Sequence, residues 1–444
     1  MLEFNPPAHG TWNIVHIGML VPESHQIYVC AVNCMRGVVL TAAEMNASDR
    51  FSFVILKEED IIRGTVEDIT IQGTIDVINK LPKRPPVVCL FTVCTHHFLG
   101  CSYKHIYDSL SKAFPDIDFV HSFMDPIMRK EGMSPDQKLR LNMYRVLEPL
   151  PEETGKLSLI GSNVCISESS DLCKVAELCG YNVTQMPELS TYTDYKKMGS
   201  SSCFAAVVPN GKKAVESTAS RLGREGLYIP LSFSYDECRE QNRELFKTLG
   251  KLSDSKNINS ENLSGKTYTD DELLTKLEHY ETDQIRRCEE NYSNLKSLIG
   301  DAPIVIDHTA HPRPLGMARF LLDHGFNVKE IYVNAVSSEE SADQQWFREN
   351  APQVKFEMPI EPAMRVKERI YRDDSGVAVK VLAIGTQAAW FTGTDYFVNM
   401  VEGGDLQGID GIARFAGMME DAWLHEKDAP DLIPRKGLGC ESCI

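Results

Sequence analysis

Two groups of cysteines are the side chains of this sequence best suited to chemistry. Three residues separate Cys30 from Cys34, and six separate Cys94 from Cys101. Each group follows a short apolar run typical of a buried strand, and the carboxyl ends of parallel strands gather at one edge of a sheet. Grouped thiolates without a histidine pair at zinc-finger spacing suit iron–sulfur clusters at least as well as zinc. We therefore predict a metal site here, with simple packing of Cys30 and Cys34 at the base of a helix as the alternative.

A second polar group, Asp307-His308-Thr-Ala-His311-Pro-Arg313, follows the apolar run 303–306 and precedes a helical pattern. Open sheets bind ligands at such positions, and the N-terminus of a helix stabilises negative charge. The catalytic candidates are therefore His308, His311 and Arg313, which could bind an anionic substrate or pass protons to it. The alternative is a capped helix start with solvated histidines.

Two smaller groups of residues are further candidates for chemistry. His96 and His97 lie beside Cys94 and could supply protons or hydrogen bonds near a cluster, or be ordinary loop residues. Cys440 and Cys443 form a C-x-x-C pair that suits a redox pair, a metal clip or an exposed tail. We expect the other cysteines to pack as small apolar side chains.

The composition and net charge of the chain indicate which partners and which cellular compartment to expect. The chain has 444 residues, of which 43% are hydrophobic and 25% charged, enough for two or three packed domains and unlike a disordered chain. The net charge of −17 argues against nucleic acid or an anionic membrane as the main partner. The first ten residues lack the pattern of a signal peptide, and no apolar run is long enough to span a bilayer. We therefore expect a cytoplasmic protein.

The order of apolar and amphipathic segments predicts an α/β protein. Short apolar runs alternate with helical patterns in three blocks, which is typical of doubly wound parallel sheets. We expect three Rossmann-like domains at 1–150, 151–252 and 301–427, a polar linker with a bridging helix at 253–300, and a tail at 428–444. Predicted strands are 52–56, 87–93, 156–160, 181–184, 303–306, 328–333 and 379–384; predicted helices are 68–81, 105–114, 170–179, 214–226, 272–299 and 315–324.

Four short motifs, in order, resemble the component 1 family of nitrogenases, which includes dark-operative protochlorophyllide reductase subunits and a cofactor-assembly scaffold. They are the segment from Met19-Leu-Val-Pro22 to Cys34, Glu58 to Gly64, Cys94 to Gly100, and Gly408-Ile-Asp410-Gly411. Each motif is weak by itself, and their colinearity over nearly the whole chain carries the resemblance. It implies three Rossmann-like domains around a central cleft.

The resemblance also implies a cofactor and partners. Cys34 and Cys94 match cluster ligands of the family, whereas the family's earlier cysteine falls near Thr11 and is absent. We take Cys30 as the substitute third ligand, and Cys101 or a partner subunit as the source of a fourth. The implied cofactor is a 4Fe-4S or P-cluster-like centre, reduced by an iron-protein-type ATPase. No phosphate-binding G-x-x-x-x-G-K-[ST] motif is present, which places nucleotide hydrolysis on that partner.

The departures from the family are equally informative. The cysteine and histidine that anchor the large metallocofactor would fall near Lys212 and Val398, and neither ligand is there. We expect no iron–molybdenum type cofactor on this chain. The favoured interpretation is a nitrogenase-like oxidoreductase subunit that forms a homo- or hetero-oligomer with a component 1-type subunit. The alternatives are a non-catalytic cluster scaffold or carrier, and a zinc-stabilised protein that binds a small molecule.

Overall fold

A computed structural model describes residues 14–125, 132–254 and 269–432 of the chain. Its strands are β1 (Ser24–Cys30), β2 (Phe51–Ile55), β3 (Val87–Val93), β4 (Asp118–Met124), β5 (Glu153–Leu159), β6 (Asn182–Gln185), β7 (Ser201–Ala206), β8 (Glu225–Tyr228), β9 (Pro303–Asp307), β10 (Asn327–Tyr332), β11 (Lys355–Glu357), β12 (Leu382–Ile384) and β13 (Phe397–Val398). Among these residues the strands form three separate sheets, and all their strand pairs are parallel.

Helices connect the strands of each sheet. They are α1 (Ile14–Met19), α2 (Val32–Glu44), α3 (Glu58–Ile62), α4 (Val66–Lys80), α5 (Cys94–Phe98), α6 (Tyr103–Ala113), α7 (Pro135–Met143), α8 (Asp171–Leu178), α9 (Tyr192–Lys197), α10 (Lys212–Leu222), α11 (Tyr235–Asp254), α12 (Asp270–Ile299), α13 (Pro314–Asp323), α14 (Ser341–Asn350), α15 (Thr386–Thr392), α16 (Gly408–Leu424) and α17 (Ala429–Leu432). The α/β class predicted from the sequence is confirmed.

The first sheet has the strand order β2-β1-β3-β4. All seven residues of β1 and all seven of β3 are buried, as expected for central strands covered on both faces. Tyr28 on β1 stacks on Phe91 of β3 with ring centroids 4.2 Å apart. Strand pairing therefore brings the carboxyl ends of β1 and β3, with their cysteines, side by side.

The second and third sheets repeat this architecture with the orders β6-β5-β7-β8 and β11-β10-β9-β12-β13. The 30-residue α12 precedes the third sheet and begins at a capping box, in which Thr269 and Glu272 satisfy each other's backbone N–H groups. Its buried face packs on α16 through contacts such as Tyr292 Oη to the Ile412 carbonyl at 3.0 Å. The predicted bridging helix is thus confirmed, whereas most of the polar linker before it lies outside the described residues.

Two local predictions were wrong. The helix expected at 214–226 ends at Leu222, because Gly223 adopts a left-handed conformation that terminates it, and β8 begins at Glu225. The strand expected from 379 begins only at Leu382. The predicted domain boundaries remain predictions.

No helix within the described ranges combines the length and apolar character that crossing a membrane requires.

Candidate functional site

The four cysteines predicted to bind a cluster divide into one buried thiol and three accessible ones. Cys30 is the last residue of β1 and fully buried. Cys34, in the first turn of α2, is exposed, while Cys94 begins α5 and is half-buried, as is Cys101. The structure thus places Cys34 and Cys94 just beyond the carboxyl ends of two paired strands, where they face solvent.

Burial makes ionisation of Cys30 unfavourable. Together with the charge of the nearby Cys34 thiolate, it raises the pKa of Cys30 to about 12. Burial and the carboxylate of Glu67 also raise the pKa of Cys101. Because metals bind the thiolate, these two cysteines would become ligands only where a metal displaces the proton.

Only part of the predicted ligand set fits an iron–sulfur cluster in this structure. In the part of the chain that the structure describes, no three His, Cys, Asp or Glu side chains lie together so that they could hold a metal ion. Cys34 and Cys94 have the position and accessibility of ligands, but a complete site needs further thiolates. Cys440 and Cys443 lie outside the described residues.

Two histidines hold the Cys94 turn. His96 is fully buried; its Nδ1 accepts a hydrogen bond from the Val93 backbone N–H at 3.2 Å, and its Nε2 lies 2.9 Å from Thr70 Oγ1. His97 is partly exposed, and its Nδ1 lies 2.7 Å from the carboxylate of the buried Asp125. His96 is thus a structural residue of the turn, whereas His97 combines a carboxylate partner with solvent access.

An apolar rim is exposed on the helices that begin at the sheet edge of Cys34 and Cys94. It consists of the exposed residues Val32, Ile61, Ile62, Phe98 and Leu99, with Ile62 83% and Phe98 73% exposed. They belong to α2, α3 and α5 or the residue that follows it, and these helices follow the neighbouring strands β1, β2 and β3. Large exposed apolar groups gathered in one place mark a surface that another molecule covers.

The three residues predicted to act on an anionic substrate do not form a common site. His308 contacts the Tyr332 carbonyl, with Nδ1 3.3 Å away, whereas His311 is buried and packs edge-on against Phe233. Burial lowers the pKa of His311 to about 3, so it is neutral at physiological pH. Arg313 forms an ion pair of 2.6 Å with Glu237.

The N-terminus of α13, expected to hold an anion, is occupied by a carboxyl group of the chain itself. The buried carboxylate of Glu340 accepts hydrogen bonds from the backbone N–H groups of Leu315 at 2.7 Å and Gly316 at 3.1 Å. Burial raises the pKa of Glu340 to about 7. This arrangement supports the capped helix start of the simpler alternative, whereas His311 is buried and not solvated as that alternative expected.

Sequence reasoning missed two buried polar networks that join the sheets. In the first, Arg140 of α7 donates to Asp136, to the Gly161 carbonyl after β5 and to Asn163 Oδ1, at 2.7, 2.5 and 2.9 Å. Asn163 in turn donates to Glu402, which follows β13, at 2.7 Å. Polar side chains of the chain itself therefore connect segments associated with all three sheets.

The second network is centred on Asp171 at the start of α8. Its carboxylate accepts hydrogen bonds from the Ile409 N–H at 2.8 Å, the Asp410 N–H at 3.2 Å, Tyr280 Oη at 3.0 Å and Asn242 Nδ2 at 3.1 Å. Gly408 has φ +72°, and a Cβ there would overlap the Asp171 carboxyl group. The Asp171 carboxylate thus caps the N-terminus of α16, and the Gly-Ile-Asp-Gly motif supplies the backbone N–H groups that donate to it.

Comparisons with known proteins find similar solved structures but no matching family model or curated sequence. No family model matches the chain, and no curated protein matches it. Among solved structures, nitrogenase Cp1 at pH 6.5 matches with a TM-score of 0.61 and 9% sequence identity, over 96% of this chain and 93% of that chain. Nitrogenase Cp1 at pH 5 matches with a TM-score of 0.56 and 11% identity, over 95% and 88%.

At these identities the likeness shows the fold alone. The chain therefore has a nitrogenase-like fold of three Rossmann-type parallel sheets. This confirms the fold class that the sequence predicted.

Proposed function

We propose that the chain is a nitrogenase-like oxidoreductase subunit, whose iron–sulfur cluster lies at the carboxyl edge of the first sheet. The observation that carries the proposal is the pair of accessible thiols, Cys34 and Cys94, at the ends of two paired strands and at the same sheet edge as the apolar rim. The nitrogenase-like fold adds support.

A second subunit of the component 1 type, identical or related, completes the proposed site. Within the described residues this chain brings together no three ligands, so the remaining thiolates come from Cys30 and Cys101 after local rearrangement, or from the partner. The apolar rim is the surface that the partner covers. Covering it also excludes water, and burial is one of the factors that set the potential of an iron–sulfur cluster.

When bound, the cluster would transfer low-potential electrons, delivered by an ATP-dependent reductase, to a substrate. The chain's own residues orient the Cys94 turn through His96 and keep the partly exposed His97 in one orientation through Asp125. His97 lies one helical turn after Cys94 and is the side chain that could exchange protons at this edge.

The ligand assignment is tested by cysteine replacement under anaerobic conditions. The full chain and its Cys34→Ser and Cys94→Ser variants are reconstituted with iron and sulfide, and iron, sulfide and visible absorbance are measured. We expect a sharp loss in both variants and none in Cys173→Ser, which removes a half-buried thiol of α8. Unchanged iron and absorbance in Cys94→Ser would contradict the assignment.

The second candidate function is a scaffold or carrier that delivers its cluster to another protein. It is favoured by the residues at the two large-cofactor positions: Lys212 lies over the Tyr228 ring at 4.8 Å, and Val398 is buried in β13. Steady-state turnover with dithionite or a matched reductase separates the two functions, because a scaffold transfers its cluster once and stops.

A further inference from the structure

The third sheet carries a cavity that the proposed cluster site does not use. It has a volume of about 610 Å³ and opens beside the carboxyl ends of β10 and β11. Val333, Phe347 and Val354 form its buried wall. Its volume and its mostly apolar lining are typical of pockets that bind small molecules.

One face of α14 supplies both apolar and polar groups to this cavity. Gln344, Phe347, Arg348 and Ala351 follow the spacing of residues that share a helix face, and all four line the cavity. The Phe347 ring packs edge-on against Phe356, with centroids 5.5 Å apart. Helix α14 and strand β11 therefore build the apolar wall together, and α14 also carries the two polar side chains.

The polar groups of this face favour an anion. The exposed guanidinium of Arg348 and the side-chain amide of Gln344, one turn away, have no hydrogen bond or ion pair to any residue that the structure describes. Among the described residues that line the cavity, none is acidic, although the whole chain has 63 acidic and 46 basic residues. An unpaired guanidinium with an amide beside it matches the two oxygens of a carboxylate.

We propose that this cavity binds a small apolar molecule that carries a carboxylate. The hydrocarbon body lies against Val333, Phe347 and Val354, and the carboxylate pairs with Arg348 and Gln344. Binding would also cover Phe356 and Met358, which are 41% and 40% exposed and line the opening. The proposal concerns a different sheet from the cluster and does not depend on the proposed function.

Calorimetric titration of the full chain tests the proposal with decanoate, and with decanol as its uncharged counterpart. We expect one saturable site for decanoate and at least about tenfold weaker binding of decanol, because decanol lacks the charge-assisted hydrogen bonds. Arg348→Gln should weaken decanoate binding about tenfold and leave decanol binding unchanged. Arg286→Gln, which removes an exposed arginine of α12, should change neither.

A second variant tests the location without altering the charge. Val336 is partly exposed on the cavity wall, so Val336→Trp should fill the space and abolish binding of both probes while far-ultraviolet circular dichroism stays that of the wild type. Three results would overturn the proposal. They are no saturable binding of decanoate, equal affinity for decanol, and full decanoate affinity in both Arg348→Gln and Val336→Trp.

Discussion

Acid should release the turn that carries Cys94, because His96 holds it in the neutral form. The Val93 N–H can only donate, so Nδ1 of His96 is the unprotonated nitrogen and Nε2 carries the hydrogen that faces Thr70. Protonation of Nδ1 would give His96 an N–H that points at the Val93 backbone N–H, and the hydrogen bond between these two groups would be lost. Burial lowers the pKa of His96 to about 4, because the charged ring would lose its hydration.

The size of the effect follows from that pKa. An unfolded chain protonates His96 near pH 6.5, whereas the folded chain does so only near pH 4. The stabilisation is therefore complete above the unfolded value and is lost as the pH falls from 6.5 toward 4. Each pH unit within this window costs about 1.4 kcal/mol, so the loss at pH 5 is about 2 kcal/mol.

Urea unfolding followed by circular dichroism, at pH 7 and pH 5, measures this loss. His96→Gln keeps an amide donor and acceptor but does not titrate, so its free energy of unfolding should fall by about 2 kcal/mol less between the two pH values than that of the wild type. Other buried histidines, such as His311, affect both proteins equally. The control His279→Gln, at an exposed position on α12, should show the wild-type loss. An equal loss in His96→Gln and wild type would refute the reasoning.

Three further predictions concern the networks and the rim. Asp171→Ala should lower the free energy of unfolding by about 3–5 kcal/mol, because the Ile409 N–H and three other donors lose a buried acceptor; a urea-measured loss below about 1 kcal/mol would contradict this. Arg140→Met should cost about 3–5 kcal/mol in the same assay, since the buried partners of its guanidinium remain unpaired, and a neutral result would be the contrary outcome. The double variant Ile62→Ser, Phe98→Ser should sediment as a smaller species than the wild type if the apolar rim is a subunit interface, and identical sedimentation would exclude that role.

Local sequence patterns were sufficient for much of the fold. The apolar run 87–93 became β3 with the same bounds, since a strand buried on both faces needs apolar residues throughout. The long amphipathic pattern before Ile299 became α12, and Ser170 caps α8 as its residue type predicts. These elements depend on neighbours in sequence, and so sequence reasoning found them.

The polar networks could not be predicted from the sequence, because they join residues that lie far apart along the chain. Asp171 meets Ile409 across 238 residues, and Asn163 meets Glu402 across 239. No periodicity links such positions. The same limit explains the third-sheet candidates: Glu340 occupies the helix terminus expected to hold a substrate, and only the folded chain brings it there.

Among the predicted cluster ligands, the sheet-edge position of two cysteines followed from the sequence, whereas the burial of a third did not. Strand prediction placed Cys34 and Cys94 at one sheet edge, and the structure has them there, half-buried or exposed. Sequence spacing could not reveal that Cys30 ends its strand inside the core, because the helices that cover both faces of β1 are brought there only by the folded chain.

The central claim, an iron–sulfur cluster at the edge of the first sheet, is tested most directly by the metal content of protein purified without oxygen. Iron, acid-labile sulfide and zinc are measured per chain. The account predicts about four irons with matching sulfide for each chain or each dimer. Zinc without sulfide, or no metal at all, would contradict it.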